Sequence, residues 1–427
     1  STTDELHFPH SLGLLYSAFT AFLGFEINEG EYKVMGMAPY GEPKYTDEVE
    51  RVVKINDNGS IWMDPAYFQF HFGTGRSYSR KFEELFGAPR DPNIPFVTAN
   101  TGVPSYYEDA VGHPKSLFDY NQRYADIAAS IQTVVEEIIL KMARHLHSQT
   151  GAKNLCLAGG VALNSVANGR ILRETEFEEI YVQPAAGDAG GALGVALTVW
   201  YKELNKRRTV DPTDAMKGSY LGPVYSQQAI EEELTASGAK FEVVPEKEML
   251  EQAAQALVEG KAVGWFQGRM EFGPRALGGR SILGNPGFAG IADKINEQIK
   301  FRERWRPFCP SILDTVARDM IQTEHPAPYM TITFEVSEQW KERVPEVVHE
   351  DGTSRVQIVD AETNPRYYAL LKEMERLNGN GVVLNTSMNR RGEPMVCSPT
   401  DALNMFFGSD LEYLVLEDLL VTKRASG

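Results

Sequence analysis

Two strand–glycine–helix units in immediate succession constrain this chain more than any other feature of its sequence. In NLCLAGGVALNSVANGRIL, Leu155–Leu157 reads as a short apolar strand, Gly159-Gly160 as a turn, and Val161 onward as a helix. The second unit follows at once: Ile180–Val182 is strand-like, and PAAGDAGGALGVAL opens a glycine-rich helix. Such alternation places the chain in the α/β class. A glycine pair between a strand and a helix N-terminus can cradle phosphate, and it can equally be a packing turn. Asp188 stands where a strand's C-terminal end meets the next helix, the usual ligand position of an open α/β sheet. There it is either a cap of the following helix or a ligand or metal group.

A second feature narrows the chemistry. The stretch from Gly264 to Ser311 carries Arg269, Arg275, Arg280, Arg302, Arg304 and Arg306, with Lys294 and Lys300, against the acids Glu271, Asp293, Glu297 and Glu303. The whole chain has a formal net charge of −17. Arginine captures carboxylate or phosphate in a planar, bidentate grip, and interleaved glycines let backbone N–H groups approach the same anion. A basic window inside an acidic protein fits a small polyanion held locally, whereas a nucleic acid requires a basic face. The alternative is that these arginines pair with surplus surface acids.

With 427 residues there is length for two domains or more. The acidic balance, with a pI near 5.0, argues against binding to DNA or to anionic lipid. Cys156, Cys309 and Cys397 are widely spaced, so neither a disulfide framework nor a zinc ribbon is expected, and a reducing cytoplasm is the expected setting. No apolar run is long enough to span a bilayer, and the polar start STTDELHFPHS does not read as a signal peptide. That start has no Met and no strand before it, so the chain is expected to be cut from something longer.

In chain order, residues 11–25 form an amphipathic helix capped by Ser11 and ended at Gly24. From Gly30 to Pro43, GEYKVMGMAPYGEP is expected to be a punctuated loop in which Lys33 touches a ligand or packs a turn. Trp62, Tyr67, Phe68, Phe70 and Phe72 point to short strands or loops over a core, and 88–104 to an exposed excursion. Ile127, Ile131, Val134, Ile138, Met142 and Leu146 recur at helical steps and predict a helix over 122–148, stopped by Gly151. His145 and His147 point to different sides of it and are expected at its surface or edge rather than on a metal.

A charged stretch at 203–216 predicts the domain linker. Beyond it, helices are expected after Ser226, over 246–259 and over 364–378, and a last one from Ser398-Pro399. Strands are expected in KAVGWF, 329–336, within 351–360, GVVLN, and twice in LEYLVLEDLLVT. The loop NTSMNRRGEP is rich in amides and hydroxyls that suit ribose, base or carbamoyl recognition, or plain turn chemistry at Asn385, Ser387 and Asn389. No repeat of solenoid period and no convincing Cys/His or Ser/His arrangement is visible.

Taken together, PHSLGLLYSAFTAFLGF, GEYKVMGMAPYG, LAGGVALNSVANGRI, PAAGDAGGALG, FGPRALGGRSIL, RERWRPFCPS, DGTSRVQIV and NTSMNRRGEPMVCSPTDA resemble the carbamoyltransferases of the nodulation-factor and antibiotic O-carbamoylating type. The likeness covers nearly the whole chain. It implies part of an actin/hexokinase-like (ASKHA) carbamoyl-transfer domain over 1–205, followed by a YrdC-like α/β domain over 216–427. The latter would make carbamoyladenylate from ATP, with Mg²⁺, and carbamoyl phosphate, for transfer to a small hydroxyl acceptor. Lys300, Arg302 and Arg306 match the family's basic motif, with Arg275 and Arg280 close in sequence. Thr353, Arg355, Asn385, Ser387 and Asn389 fall in motifs lining the same site. Gly159, Gly160 and Asn164 match the nucleotide turn of the actin-like domain, and Asp188 an aspartate that shares iron(II) with two upstream histidines.

The histidine pair of that iron site does not occur in this chain. The polypeptide is therefore expected to keep the adenylate-forming domain and half of the transfer domain, and not to carbamoylate an acceptor by itself. Two other readings follow from the same residues. One is a nucleotide-binding regulatory module without transferase activity. The other is a tRNA threonylcarbamoyl-type enzyme, which a pI near 5.0 disfavours, as the absence of zinc-finger cysteines disfavours a hydrogenase-maturation enzyme.

Overall fold

The computed structural model describes residues 2–103, 114–210 and 214–423. It divides into two compact units, Ser1–Val182 and Gln183–Gly427.

In the first unit a long helix, Pro114–Thr150, is the central support. It is longer at both ends than the predicted 122–148. Ile127, Ile131, Val134 and Ile138 are buried on it, as their spacing requires. Helices Leu12–Phe22, Glu31–Met37, Thr46–Val52 and Ser165–Glu174 pack against it. Ser11 caps the first of these, its Oγ accepting from the Leu14 N–H at 3.3 Å. Phe19, Phe22, Phe82 and Phe86 form an edge-on aromatic cluster in the core.

Strands β1 (Val53–Ile55) and β2 (Ile61–Met63) make an antiparallel hairpin. In its turn Gly59 holds φ 80°, and a Cβ there would stand 2.5 Å from the Met142 backbone nitrogen. Strands β3 (Asn154–Leu157) and β4 (Glu179–Val182) pair in parallel, as the two strand–glycine–helix units imply.

One expectation fails in this unit and another holds only in part. The stretch from Gly30 is helical: Glu31–Met37 continues into a 3-10 turn at Ala38–Tyr40, and Val34 and Met37 are buried. Tertiary burial of that apolar pair outweighs the glycine and proline punctuation. Lys33 is therefore on a helix, over the Phe25 ring at 5.5 Å. Residues 88–103 are an exposed excursion only in part, chiefly at 91–93 and at Ala99 and Asn100. Phe96, Val97 and Thr98 are buried, and Arg90 reaches inward to donate to the carbonyls of Leu23 and Ile94. The remainder of the predicted excursion, residue 104, lies outside the described residues.

The second unit is organised by an eight-stranded mixed sheet. Its strands in chain order are β5 (Phe241–Val243), β6 (Val263–Phe266), β7 (Arg280–Gly284) and β8 (Cys309–Leu313), then β11 (Gln357–Val359), β12 (Val382–Ser387), β13 (Tyr413–Leu416) and β14 (Leu419–Thr422). The spatial order is β11-β8-β12-β7-β6-β13-β14-β5, with β11/β8 and β13/β6 parallel and the other pairs antiparallel. β9 (Thr333–Glu335) and β10 (Thr353–Arg355) form a separate antiparallel pair.

Here the expected helices are present as Gln227–Ser237, Glu246–Val258, Pro365–Asn378 and Pro399–Phe407, the last with a full capping box from Ser398 and Asp401. Where alternation across 329–336 predicts a single strand, only Thr333–Glu335 pairs, and the run from Met330 to Phe334 is buried on both faces. β12 runs on through Asn385 and Ser387, so the first residues of the supposed loop NTSMNRRGEP are strand.

The units part between Val182 and Gln183, ahead of the charged stretch 203–216. Leu193, on helix Asp188–Thr198, packs against Met216, Leu277, Cys309, Tyr329 and Met330, which ties that helix to the second unit.

Candidate functional site

The centre of the eight-stranded sheet carries polar side chains where a sheet core ordinarily carries aliphatic ones. Cys309 and Ser311 share a face of β8, because alternate residues point the same way. Asn385 on β12 stands opposite Cys309, Ser387 stands opposite Ser281 on β7, and Gln357 on β11 is beside Ser311. Asn385 is 2% exposed. Its amide donates to Ser311 Oγ at 2.9 Å, the Ala276 carbonyl at 3.2 Å and Gln357 Oε1 at 3.3 Å. Ser311 in turn donates to Gln357 at 2.6 Å, and Gln357 to the Leu277 carbonyl at 2.9 Å.

The loop FGPRALGG is held over this face by Glu271. One carboxylate oxygen accepts the N–H groups of Leu277 (2.6 Å), Gly279 (2.7 Å) and Arg280 (3.2 Å). Gly278 has φ 98° and lies so close to Tyr367 that a Cβ would stand 2.3 Å from its ring. Only glycine allows both the turn and the approach.

Lys300, Arg302 and Arg306 are brought together by the turn after helix Ile291–Lys294. Lys300 is 3% exposed, and its ammonium donates to the carbonyls of Ser387 (2.5 Å) and Asn389 (3.1 Å), to Asn389 Oδ1 (2.8 Å) and to Ser387 Oγ (3.3 Å). Burial, and then the charges of Arg302 and Arg306, hold its pKa well below the usual lysine range. Arg302 stacks on Phe308 at 4.5 Å and donates to Asn296 at 2.5 Å. Arg306 meets Glu303 at 3.5 Å, and Glu303 is also 3.6 Å from Arg391.

A second cationic group lies two residues along β12, about 7 Å at the rise of a strand. Arg355 and Arg275 are beside Cys309, which is 4% exposed. Burial pushes the Cys309 thiol up, but Arg355, His349 and Arg275 together outweigh it and bring it down to about 6. Thr353 Oγ1 donates to Asp351 at 2.7 Å and lies 3.4 Å from His349 Nδ1.

The predicted residues thus sort into distinct places. Lys300, Arg302, Arg306, Ser387 and Asn389 form one cluster; Arg275, Arg355, Thr353 and Asn385 gather around Cys309 on the same face. Arg280 serves the fold: it is 0% exposed, lies 3.5 Å over the Phe266 ring, and donates to the carbonyls of Gln267, Gly268, Gly279 and Pro223. Arg304 is paired with Asp293, and Arg269 is exposed with a bond to the Gly222 carbonyl.

In the first unit, Gly159 (φ 101°) and Gly160 leave open space at the end of β3. Asn164 caps helix Ser165–Glu174 and exchanges hydrogen bonds with Gln132. Asp188, in the second unit, is exposed in the first turn of helix Asp188–Thr198. Among the described residues no three His, Cys, Asp or Glu side chains converge, so Asp188 has no partners with which to hold iron.

Sequence reasoning missed Cys309, His349, Ser311, Gln357 and Glu271. The absence of a Cys/His arrangement is corrected: Cys309 and His349 are forty positions apart in sequence, and the packing of β10 on β8 draws the segment holding His349 toward Cys309. A hollow of about 390 Å³ lined by Asp314, Arg318, Glu324 and His325 shares no residue with this site.

Residues 1–197 match the family model for the carbamoyltransferase N-terminus and residues 254–423 that for the carbamoyltransferase C-terminus. The chain is 44% identical to an uncharacterized protein of Synechocystis sp., covering 99% of this chain and 68% of the relative. It is 36% identical to nodulation protein NolNO of Sinorhizobium fredii (97% and 56%) and 35% identical to nodulation protein NolO of Bradyrhizobium diazoefficiens (97% and 69%). It therefore spans between 56% and 69% of the length of these relatives. Two family models in sequence order, and relatives aligned along nearly all of its length, show that the chain belongs to the carbamoyltransferase family.

Proposed function

We propose that the second unit forms carbamoyladenylate from ATP and carbamoyl phosphate, and that the carbamoyl group then passes to the hydroxyl of a small acceptor. This reading includes the finer assignment of the chain to an actin-like transfer domain over 1–205 and a YrdC-like domain over 216–427. The observation that carries it is the cluster of Lys300, Arg302 and Arg306, with Lys300 buried and bonded to Ser387 at the end of β12. Two arginines that depress the Lys300 ammonium leave positive charge that an anion between them would stabilise, and both substrates are phosphorylated. Arginine supplies that charge with no proton ambiguity.

Residue roles follow. Arg302 and Arg306 would grip phosphate, with Lys300 beside them held by Ser387 and Asn389. Arg275, Arg355, Thr353 and Asn385 would line the carbamoyl end, and Arg280 would fix the loop. Mg²⁺ would arrive on the nucleotide, neutralising phosphate charge. The open turn at Gly159 and Gly160, with Asn164, is the nucleotide contact of the first unit. Asp188 does not fit an iron site with the residues described, so no step is assigned to iron.

The test is ATP–pyrophosphate exchange. Exchange that depends on carbamoyl phosphate supports the reading, as does its loss in Arg302→Ala. Nucleotide binding without exchange would replace it with a nucleotide-binding regulatory module.

A further inference from the structure

The surroundings of Cys309 contain more than anion recognition needs. A nucleophilic thiol requires a base to take its proton and a third group to orient that base. β10 packs on β8, which carries Cys309, and His349 contacts Thr353 of β10; the buried Nε2 of His349 has no hydrogen-bond partner. On the other side of the ring, Nδ1 is 3.4 Å from Thr353 Oγ1. That hydroxyl's own proton is directed to Asp351 Oδ1 at 2.7 Å, so its lone pair faces the imidazole. The arrangement favours the tautomer with hydrogen on Nδ1 and leaves the Nε2 lone pair for a thiol.

Unsatisfied buried atoms define what would sit there. Asn385, directly opposite Cys309, has its Oδ1 buried with no partner. The bond from its amide nitrogen to the Ala276 carbonyl fixes which way the group points. Arg355 has Nε buried with no partner. An unpartnered acceptor and an unpartnered cationic donor around a thiol match the NH₂ and the carbonyl oxygen of a carbamoyl group.

We propose that Cys309 is a nucleophile that accepts the carbamoyl group of carbamoyl phosphate. Sγ attacks the carbonyl carbon and a C–S bond forms. The C–O bond to phosphate breaks, and the thiol proton passes through His349 Nε2 to the departing inorganic phosphate. The product is S-carbamoyl-Cys309, and no oxidant or further reactant is needed. This step rests on the reading that the second unit binds carbamoyl phosphate, but it does not require ATP.

The experiment uses the whole chain with isotopically labelled carbamoyl phosphate and no nucleotide. It is read by intact mass, peptide mapping and phosphate release, with binding followed by calorimetry. The expected result is label on Cys309 matched by released phosphate, with the exposed Cys156 and half-buried Cys397 unlabelled. Cys309→Ser should abolish the label. His349→Asn should slow it by a factor on the order of a hundred while affinity for carbamoyl phosphate is kept. Label spread over Cys156 and Cys397 would mean reaction with free cyanate and overturn the proposal, as would binding with Cys309 unlabelled. Absence of binding would overturn this step and the substrate reading together.

Discussion

Burying Lys300 beside two arginines costs free energy that its hydrogen bonds to Ser387 and Asn389 only partly offset. That cost identifies the residues a ligand would satisfy. Arg302→Ala or Arg306→Ala should weaken carbamoyl phosphate binding by about 1.5–3 kcal/mol, the worth of a charge-assisted contact. Titration calorimetry checks this, and unchanged affinity would return both to structural roles. Arg280 should behave differently. Arg280→Ala leaves the buried carbonyls of Gln267 and Gly268 without this donor, while those of Gly279 and Pro223 keep the backbone N–H groups of Gln267 and Met270. A loss of about 3 kcal/mol or more in unfolding free energy is expected, measured by urea denaturation. The two kinds of arginine look alike in sequence; burial and partners separate them.

At the scale of elements, the loop over the sheet depends on one carboxylate. Glu271 accepts three backbone N–H groups, so Glu271→Ala should release residues 277–280. Hydrogen exchange at Leu277, Gly279 and Arg280 should rise by at least tenfold while exchange in helix Glu246–Val258 stays as it was. A uniform rise would show general destabilisation instead. Most helices were legible from caps and spacing: Ser11, Ser226, Asn364 and Ser398 each cap where their side chains allow. Helix Glu31–Met37 was not, because its support is the burial of Val34 and Met37, which local propensity does not report.

For the molecule as a whole, titration of the buried site should set part of its pH dependence. Folding draws the Cys309 pKa from 9.0 to about 6, so the stability it contributes is full above 9.0 and is lost as pH falls through about 6. Lys300 acts in the same direction. Its folded pKa is lowered, so its charging cost is full below that folded value and fades as pH rises from there toward the ordinary 10.5. The gap in unfolding midpoint between the wild-type chain and Cys309→Ala should therefore widen, in favour of wild type, between pH 6 and pH 9. A constant gap would show that the thiol is not linked to folding.

What the sequence settled alone is whatever depends on neighbours in the chain. The two strand–glycine–helix units gave a parallel β3/β4 pair, the three- and four-residue steps from Ile127 gave the long helix, and RERWRPFCPS placed cations in one turn. The quoted motifs also identified the family. Tertiary structure decided what depends on groups distant in sequence. The antiparallel pairing of β12 with β7 and β8 put Asn385 opposite Cys309 and Ser387 opposite Ser281. Burial turned Arg280 from an anion ligand into a clasp on four carbonyls, and carried His349 to a cysteine forty residues away. Periodicity and motif spacing are local quantities, whereas charge pairing and nucleophile activation depend on which strands meet.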